Sequence, residues 1–120
     1  MKDHNKINYI EIPSKDLEVS KTFFSKTFGW KFTDFGPKYT FFKKRGVDGG
    51  FYKSDHALST ETGRPLIIFY SCKLEDTQSR VVKHGGKIKK PIFTLSGGQR
   101  FHFTDPNGNE YAVWSDEHKV

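Results

Sequence analysis

Between Ile7 and Ile12 the chain alternates with a period of two, placing Ile10 and Ile12 on one face and Tyr9 and Glu11 on the other, as in a half-buried strand. Pro13 is expected to end it. Ser14 then reads as a helix N-cap, Asp16 and Glu18 fall in the first turn, and Leu17, Phe24 and Phe28 share one helical face before Gly29 stops the helix. Three short aromatic-rich strands follow, near Trp30–Phe35, Tyr39–Lys44 and Gly49–Lys53, punctuated by Gly36-Pro37 and Gly46-Val47-Asp48. Residues 54–64 are polar, carry no period and read as a linker. Beyond them Pro65–Ser71 is an apolar strand, Leu74–His84 a helix closed by Gly85-Gly86, and Lys87–Thr94, Arg100–Thr104 and Glu110–Trp114 are strands. The tail, Ser115–Val120, is expected to fray.

The pattern occurs twice. One sequence offset relates Leu17 to Leu74, Glu18 to Glu75, Gly29 to Gly86, Tyr9 to Leu66 and Ile10 to Ile67. An offset that holds through strand, helix and helix stop indicates a duplicated β-α-β-β-β unit. The whole chain, 1–120, therefore reads as a single α+β domain, with unit one at about 6–53, the linker at 54–64 and unit two at about 65–114.

Composition narrows the possibilities. At 120 residues there is room for one modest core. Twelve Phe and five Tyr must supply buried area that aliphatic residues do not, which favours strands. The net charge of +6 suits an anionic partner, but the lysines are scattered, so a lysine-rich solvated surface is favoured over nucleic-acid binding. The group Lys83, Lys87, Lys89 and Lys90 beside Phe93 belongs to no recognisable nucleic-acid module. A lone Cys72, just after an apolar strand, allows no internal disulfide and no cysteine-based zinc site, and reads as a small core residue. No leader and no membrane-length apolar run is recognisable, so a cytoplasmic location is expected. Gly85-Gly86 and Gly97-Gly98 lack the spacing of phosphate loops and read as turns.

The most specific stretch is Phe101 to Trp114, two strands joined by Asp105-Pro106-Asn107-Gly108-Asn109. With Ile10-Glu11-Ile12-Pro13, Asp16-Leu17-Glu18, Phe23-Phe24 and Phe28-Gly29-Trp30, it resembles the vicinal oxygen chelate superfamily, the glyoxalase, bleomycin-resistance and extradiol dioxygenase group. The resemblance covers nearly the whole chain. It implies that each unit curls into a curved half-barrel sheet, with the helix on the convex side and a ligand in the concave face. In the metal enzymes of that group, each unit carries one metal ligand on its first strand and one on its last. Those positions fall here on Tyr9, Leu66 and Ala112, with the fourth at Phe51 or a neighbour. A divalent cation needs several converging N or O donors, so neither metal nor other cofactor is expected. Glu11, His56 and His102 are the residues from which an unconventional metal site could be built.

The residues expected to bind a ligand are Tyr9, Glu11, Leu66, Tyr70, Arg100, His102, Ala112 and Trp114. Alternation puts Tyr9 with Glu11, Arg100 with His102 opposite Phe101 and Phe103, and Ala112 with Trp114. Arg100 and His102 read equally as cavity groups or as a cross-strand polar pair in water. Three functions follow. The first is metal-independent binding of a small neutral or anionic organic molecule in an aromatic cavity. The second is a lyase or isomerase with Glu11 and His102, the candidate catalytic residues, transferring a proton. The third is a dimeric interaction module without ligand chemistry. A homodimer is expected because short strands with open edges and aromatic faces leave apolar surface uncovered. His4, His56, His84 and His118 read as ordinary solvated residues.

Overall fold

The computed structural model describes residues 4–116; His118 and the end of the expected frayed tail lie outside the described residues. In chain order the elements are β1 (Tyr9–Ser14), α1 (Leu17–Phe28), β2 (Thr33–Asp34), β3 (Tyr39–Arg45), β4 (Val47–Lys53), a 3₁₀ turn (Thr60–Thr62), β5 (Ile67–Tyr70), α2 (Leu74–Lys83), β6 (Lys87–Leu95), β7 (Gly98–Thr104) and β8 (Glu110–Asp116). The β-α-β-β-β order thus repeats. In each unit the first strand pairs in parallel with the last, β1 with β4 and β5 with β8.

Local chemistry explains most boundaries and corrects several. Pro13 lies within β1, which is tolerated because β1 is an edge strand. The N-cap of α1 is Asp16, whose Oδ1 accepts from the backbone N–H groups of Glu18 and Val19; Ser14 ends β1, and its Oγ meets Ser20 Oγ at 2.8 Å. Gly29 closes α1 in the left-handed conformation (φ 74°), as a helix-stop glycine does. Gly86, its counterpart by offset, has another role: a Cβ there would collide with Val81, so it permits close packing of α2. β8 runs on to Asp116, which pairs with Gly98 and accepts from the Tyr70 hydroxyl, so Ser115 and Asp116 are not frayed. Cys72 is exposed, because β5 ends at Tyr70 and the chain bends before α2.

The strands form two four-stranded sheets, ordered β1-β4-β3-β2 and β5-β8-β7-β6. The expectation of curved half-barrels with helices on a convex side is not met: the sheets are neither closed nor strongly curled, and they pack together. The reason is a shared core. Ile12, Phe42 and Phe51 from the first sheet, Phe101, Phe103, Tyr111 and Val113 from the second, and Leu17, Phe23, Phe24, Leu74 and Val81 from the helices belong to one buried cluster. The Phe24 ring lies 5.4 Å from both Phe51 and Tyr111, touching the two sheets at once. Each fully buried phenylalanine contributes about 1.5–3 kcal/mol, and that gain holds the sheets as two layers on a common core.

The 105–109 turn clasps the units together. Asp105 Oδ1 accepts from the backbone N–H groups of Asn107 (2.9 Å) and Asn109 (3.0 Å), presenting both amides to the first unit. Asn107 Nδ2 lies 2.8 Å from Asp16 O and 2.9 Å from Ser20 Oγ, and Asn109 Nδ2 donates to Pro13 O at 2.7 Å. Asn109 Oδ1 accepts from Leu58 N, which ties down the 54–64 segment. Arg80 adds a second tie by donating to Thr27 O and Lys26 O at the end of α1.

Candidate functional site

Where β1, the β3–β4 turn and β5 meet, the layers leave a cavity of about 510 Å³. That volume lies within the range of small-molecule sites. Ile10, Ile12, Phe28, Trp30, Phe42, Ile67, Phe69 and Tyr111 form its walls, and Lys44 and Arg45 are its charged residues. Alternation builds it: Ile10 and Ile12 of β1, Ile67 and Phe69 of β5 and Tyr111 of β8 are the residues that face the core. Among the expected site residues, Tyr70 lines it and the other seven do not. It opens on the Ile10/Ile12 face of β1, opposite the face that carries Tyr9 and Glu11.

On that other face Tyr9 and Glu11 do come together, through a residue the sequence reading missed. The Tyr39 hydroxyl donates to Glu11 Oε2 at 3.0 Å and hydrogen-bonds the Tyr9 hydroxyl. Desolvation, then the hydrogen bonds with Tyr9 and Glu11, raise the Tyr39 phenol well above its usual pKa, so it remains protonated. β1 pairs Glu11 with Gly50, as β5 pairs Ile68 with Ala112. The structural counterpart of Ala112 is therefore Gly50, the neighbour of Phe51. A Cβ at Gly50 would collide with the Tyr39 phenol, so the tyrosine cluster fills the space that a longer side chain would need.

His102 belongs to a second, separate cluster. Its Nδ1 lies 2.8 Å from Glu110 Oε2, and both side chains are almost wholly buried. Burial alone would raise the Glu110 pKa, but hydrogen bonds from His102, Thr60 and Lys89 outweigh it and lower it to about 2. The carboxylate is thus ionised and His102 Nδ1–H donates to it. His102 Nε2 and Arg100 Nε are buried without a partner among the described residues, and both side chains lie beside the Phe93 ring. Lys89 is spent on Glu110 and Glu61, so it is not part of a free basic surface. Glu11 engages Tyr39 and His102 engages Glu110: the expected proton-transfer pair is not assembled within the chain. Trp114 packs edge-on against Tyr70 at 5.3 Å, Ala112 is buried opposite His102, and Leu66 precedes β5, half-buried. Glu110 was legible in principle, since alternation places it with Ala112 and Trp114. Tyr39 was not, because it meets Glu11 only through sheet pairing.

The donor set at the family's four ligand positions is a phenol, two alkyl side chains and a glycine. Leu66, Ala112 and Gly50 offer no side-chain donor, and among the described residues no three His, Cys, Asp or Glu converge. These residues do not fit a metal ion.

Residues 6–113 match the model of the Glyoxalase/Bleomycin resistance protein/Dioxygenase superfamily. A "Glyoxylase-like domain-containing protein" of Didymella fabae is 32% identical over 123 residues, covering 92% of this chain and 93% of that protein. Among solved structures, a glyoxalase-related enzyme from Fulvimarina pelagi superposes with TM-score 0.78 at 19% identity, covering 94% of this chain and 89% of that one. A genomically encoded fosfomycin resistance protein from Listeria monocytogenes gives 0.77 at 18% identity and covers 94% of each chain. At such identities the superpositions speak for the fold alone. The duplicated unit, the Asp105–Asn109 clasp and the family match agree: the chain belongs to the Glyoxalase/Bleomycin resistance protein/Dioxygenase superfamily.

Proposed function

We propose that the protein binds a small neutral or anionic organic molecule in the aromatic cavity between its two units, and does so without a metal. The observation that carries this reading is the cavity itself: mostly apolar or aromatic walls, and two cations with no acid among its described lining residues. Metal independence is supported by the donors lost at Leu66, Ala112 and Gly50. The enzyme reading is supported less well. Proton transfer needs a group that substrate can touch, whereas His102 Nε2 is enclosed and Glu11 sits in the other cluster. A homodimer acting in the cytoplasm completes the proposal; the exposed Cys72 suits a reducing compartment, and no described helix is long and apolar enough to cross a membrane.

The test is a thermal-shift screen of aromatic acids, amides and small carbonyl compounds, with elemental analysis of the same sample. Ligand binding to the native state raises Tm by mass action, and Ile67→Phe, which narrows the cavity, should shrink the shift. Shifts that are undiminished in Ile67→Phe would place the ligand elsewhere, and about one transition metal per chain would end metal independence.

A further inference from the structure

Lys44 and Arg45 both line the cavity, at the β3–β4 turn. The backbone of that turn is irregular. The β3–β4 ladder runs in step to the Phe42–Gly49 pair, then shifts register before Arg45 pairs with Val47. Lys44 sits within the shift at φ 62°, a left-handed conformation that an L-residue with a long side chain rarely adopts, and Gly46 follows at φ 89°. Asp48 Oδ1 holds the distortion by accepting from Lys44 N–H at 2.8 Å. Bulges of this kind re-aim side chains and collect at functional sites.

The result is a cationic end to an apolar cavity. Arg45 Nη2 donates to Gly29 O at 2.9 Å, which anchors the guanidinium against the end of α1 without neutralising it. Neither Lys44 nor Arg45 is among the ion pairs of the described residues. Among the described residues no Asp or Glu lines the cavity. A neutral ligand would need no such turn. Two cations with no ion-pair partner among the described residues, the one carboxylate of the turn, Asp48, being bound to backbone N–H, match a molecule that is apolar along its body and anionic at one end.

We propose that the bulged Lys44-Arg45 turn is an anion clamp, and that the ligand is an organic monoacid: a carboxylate held by Lys44 and Arg45, with an aromatic or equally bulky apolar body against Trp30, Phe42 and Phe69. This rests on the reading of the cavity as the ligand site and adds the class of ligand and the residues that select it.

The experiment compares 1-naphthoate with 1-naphthamide, which share a body and differ in charge, by isothermal titration calorimetry. Wild type should bind the acid at least tenfold more tightly than the amide, and that preference should shrink with added salt. Lys44→Asn, which keeps a residue tolerant of the left-handed conformation, and Arg45→Lys, which keeps the charge but loses the fork, should each weaken the acid several-fold. Binding of the amide should not change. Equal affinity for both probes, or acid binding indifferent to both substitutions, overturns the clamp. If those equal affinities are weakened in Ile67→Phe, the cavity reading stands without the clamp. If neither probe binds, or if both bind Ile67→Phe as they bind wild type, the cavity reading falls and takes the clamp with it.

Discussion

Asp105 is a residue under electrostatic tension. It is buried in the clasp, its Oδ1 serves two backbone N–H groups, and its Oδ2 has no partner. Desolvation raises its pKa from 3.8 to about 6, partly offset by the hydrogen bonds from Asn109 and Asn107. Because the folded pKa is the higher one, this group's contribution to stability is fully present below pH 3.8 and is lost as pH rises through about 6. A shift of that size corresponds to roughly 3 kcal/mol at neutral pH. Asp105→Asn keeps the Oδ1 acceptor and removes the charge. It should raise Tm at pH 8, and the gain should fade towards pH 4; an equal gain at both would show that charge is not the cause. Glu110 runs the other way. Its folded pKa is lowered to about 2, so its contribution holds above about 4.5 and is lost as pH falls through 2.

At the scale of elements, two devices carry testable consequences. The first is the clasp, in which Asn107 spans Ser14, Asp16 and Ser20 at the junction of β1 and α1. Asn107→Ala removes the donor that these three groups share, although Ser14 and Ser20 keep each other, and should cost about 1 kcal/mol, read as a lower midpoint in urea with unchanged slope. A loss of a few tenths would mean that the apolar core, not the clasp, joins the units. The second is the meeting of β1, β3 and β4 over Gly50. Gly50→Ala should push the Tyr39 ring aside and break its bond to Glu11. In tyrosine ring-carbon NMR the Tyr39 titration should then fall back towards 10, the ordinary phenol value, while an unmoved titration would refute the seating of Tyr39 over Gly50.

For the molecule as a whole, the open question is what covers the exposed edges. β1 and β5 are edge strands, and Tyr9, Ile68 and Tyr70 stand 40%, 45% and 53% exposed on or beside them. Large apolar side chains along unpaired edges favour association, and a second copy would bury them. Light scattering at micromolar concentration should give twice the 13.9 kDa chain mass, and Ile68→Lys should return it to one chain. A monomeric wild type would remove the dimer from the proposal.

The chain by itself determined most of its elements and their repetition, because period-two alternation, helical periodicity and the Gly29 helix stop act over a few neighbours. Ile10 and Ile12 face inward, Phe101 and Phe103 face the core, and Gly29 ends α1, all as local rules require. Loss of the metal donors was equally legible, since Leu66 and Ala112 carry none in any fold. Tertiary structure alone decided which faces became layers and which became a cavity. The face of Tyr9, Ala112 and Trp114 is the one expected to wall the cavity, but the cavity opens on the opposite face of β1, beside the core where Phe24 touches both sheets. Partner choice was decided at the same level. Glu11 and His102 share no local rule, and sheet pairing delivers Tyr39 to one and Glu110 to the other. The Lys44-Arg45 turn is a third case: no local pattern announces a left-handed lysine held by Asp48, and packing alone sets that turn beside the residues of β1 and β5.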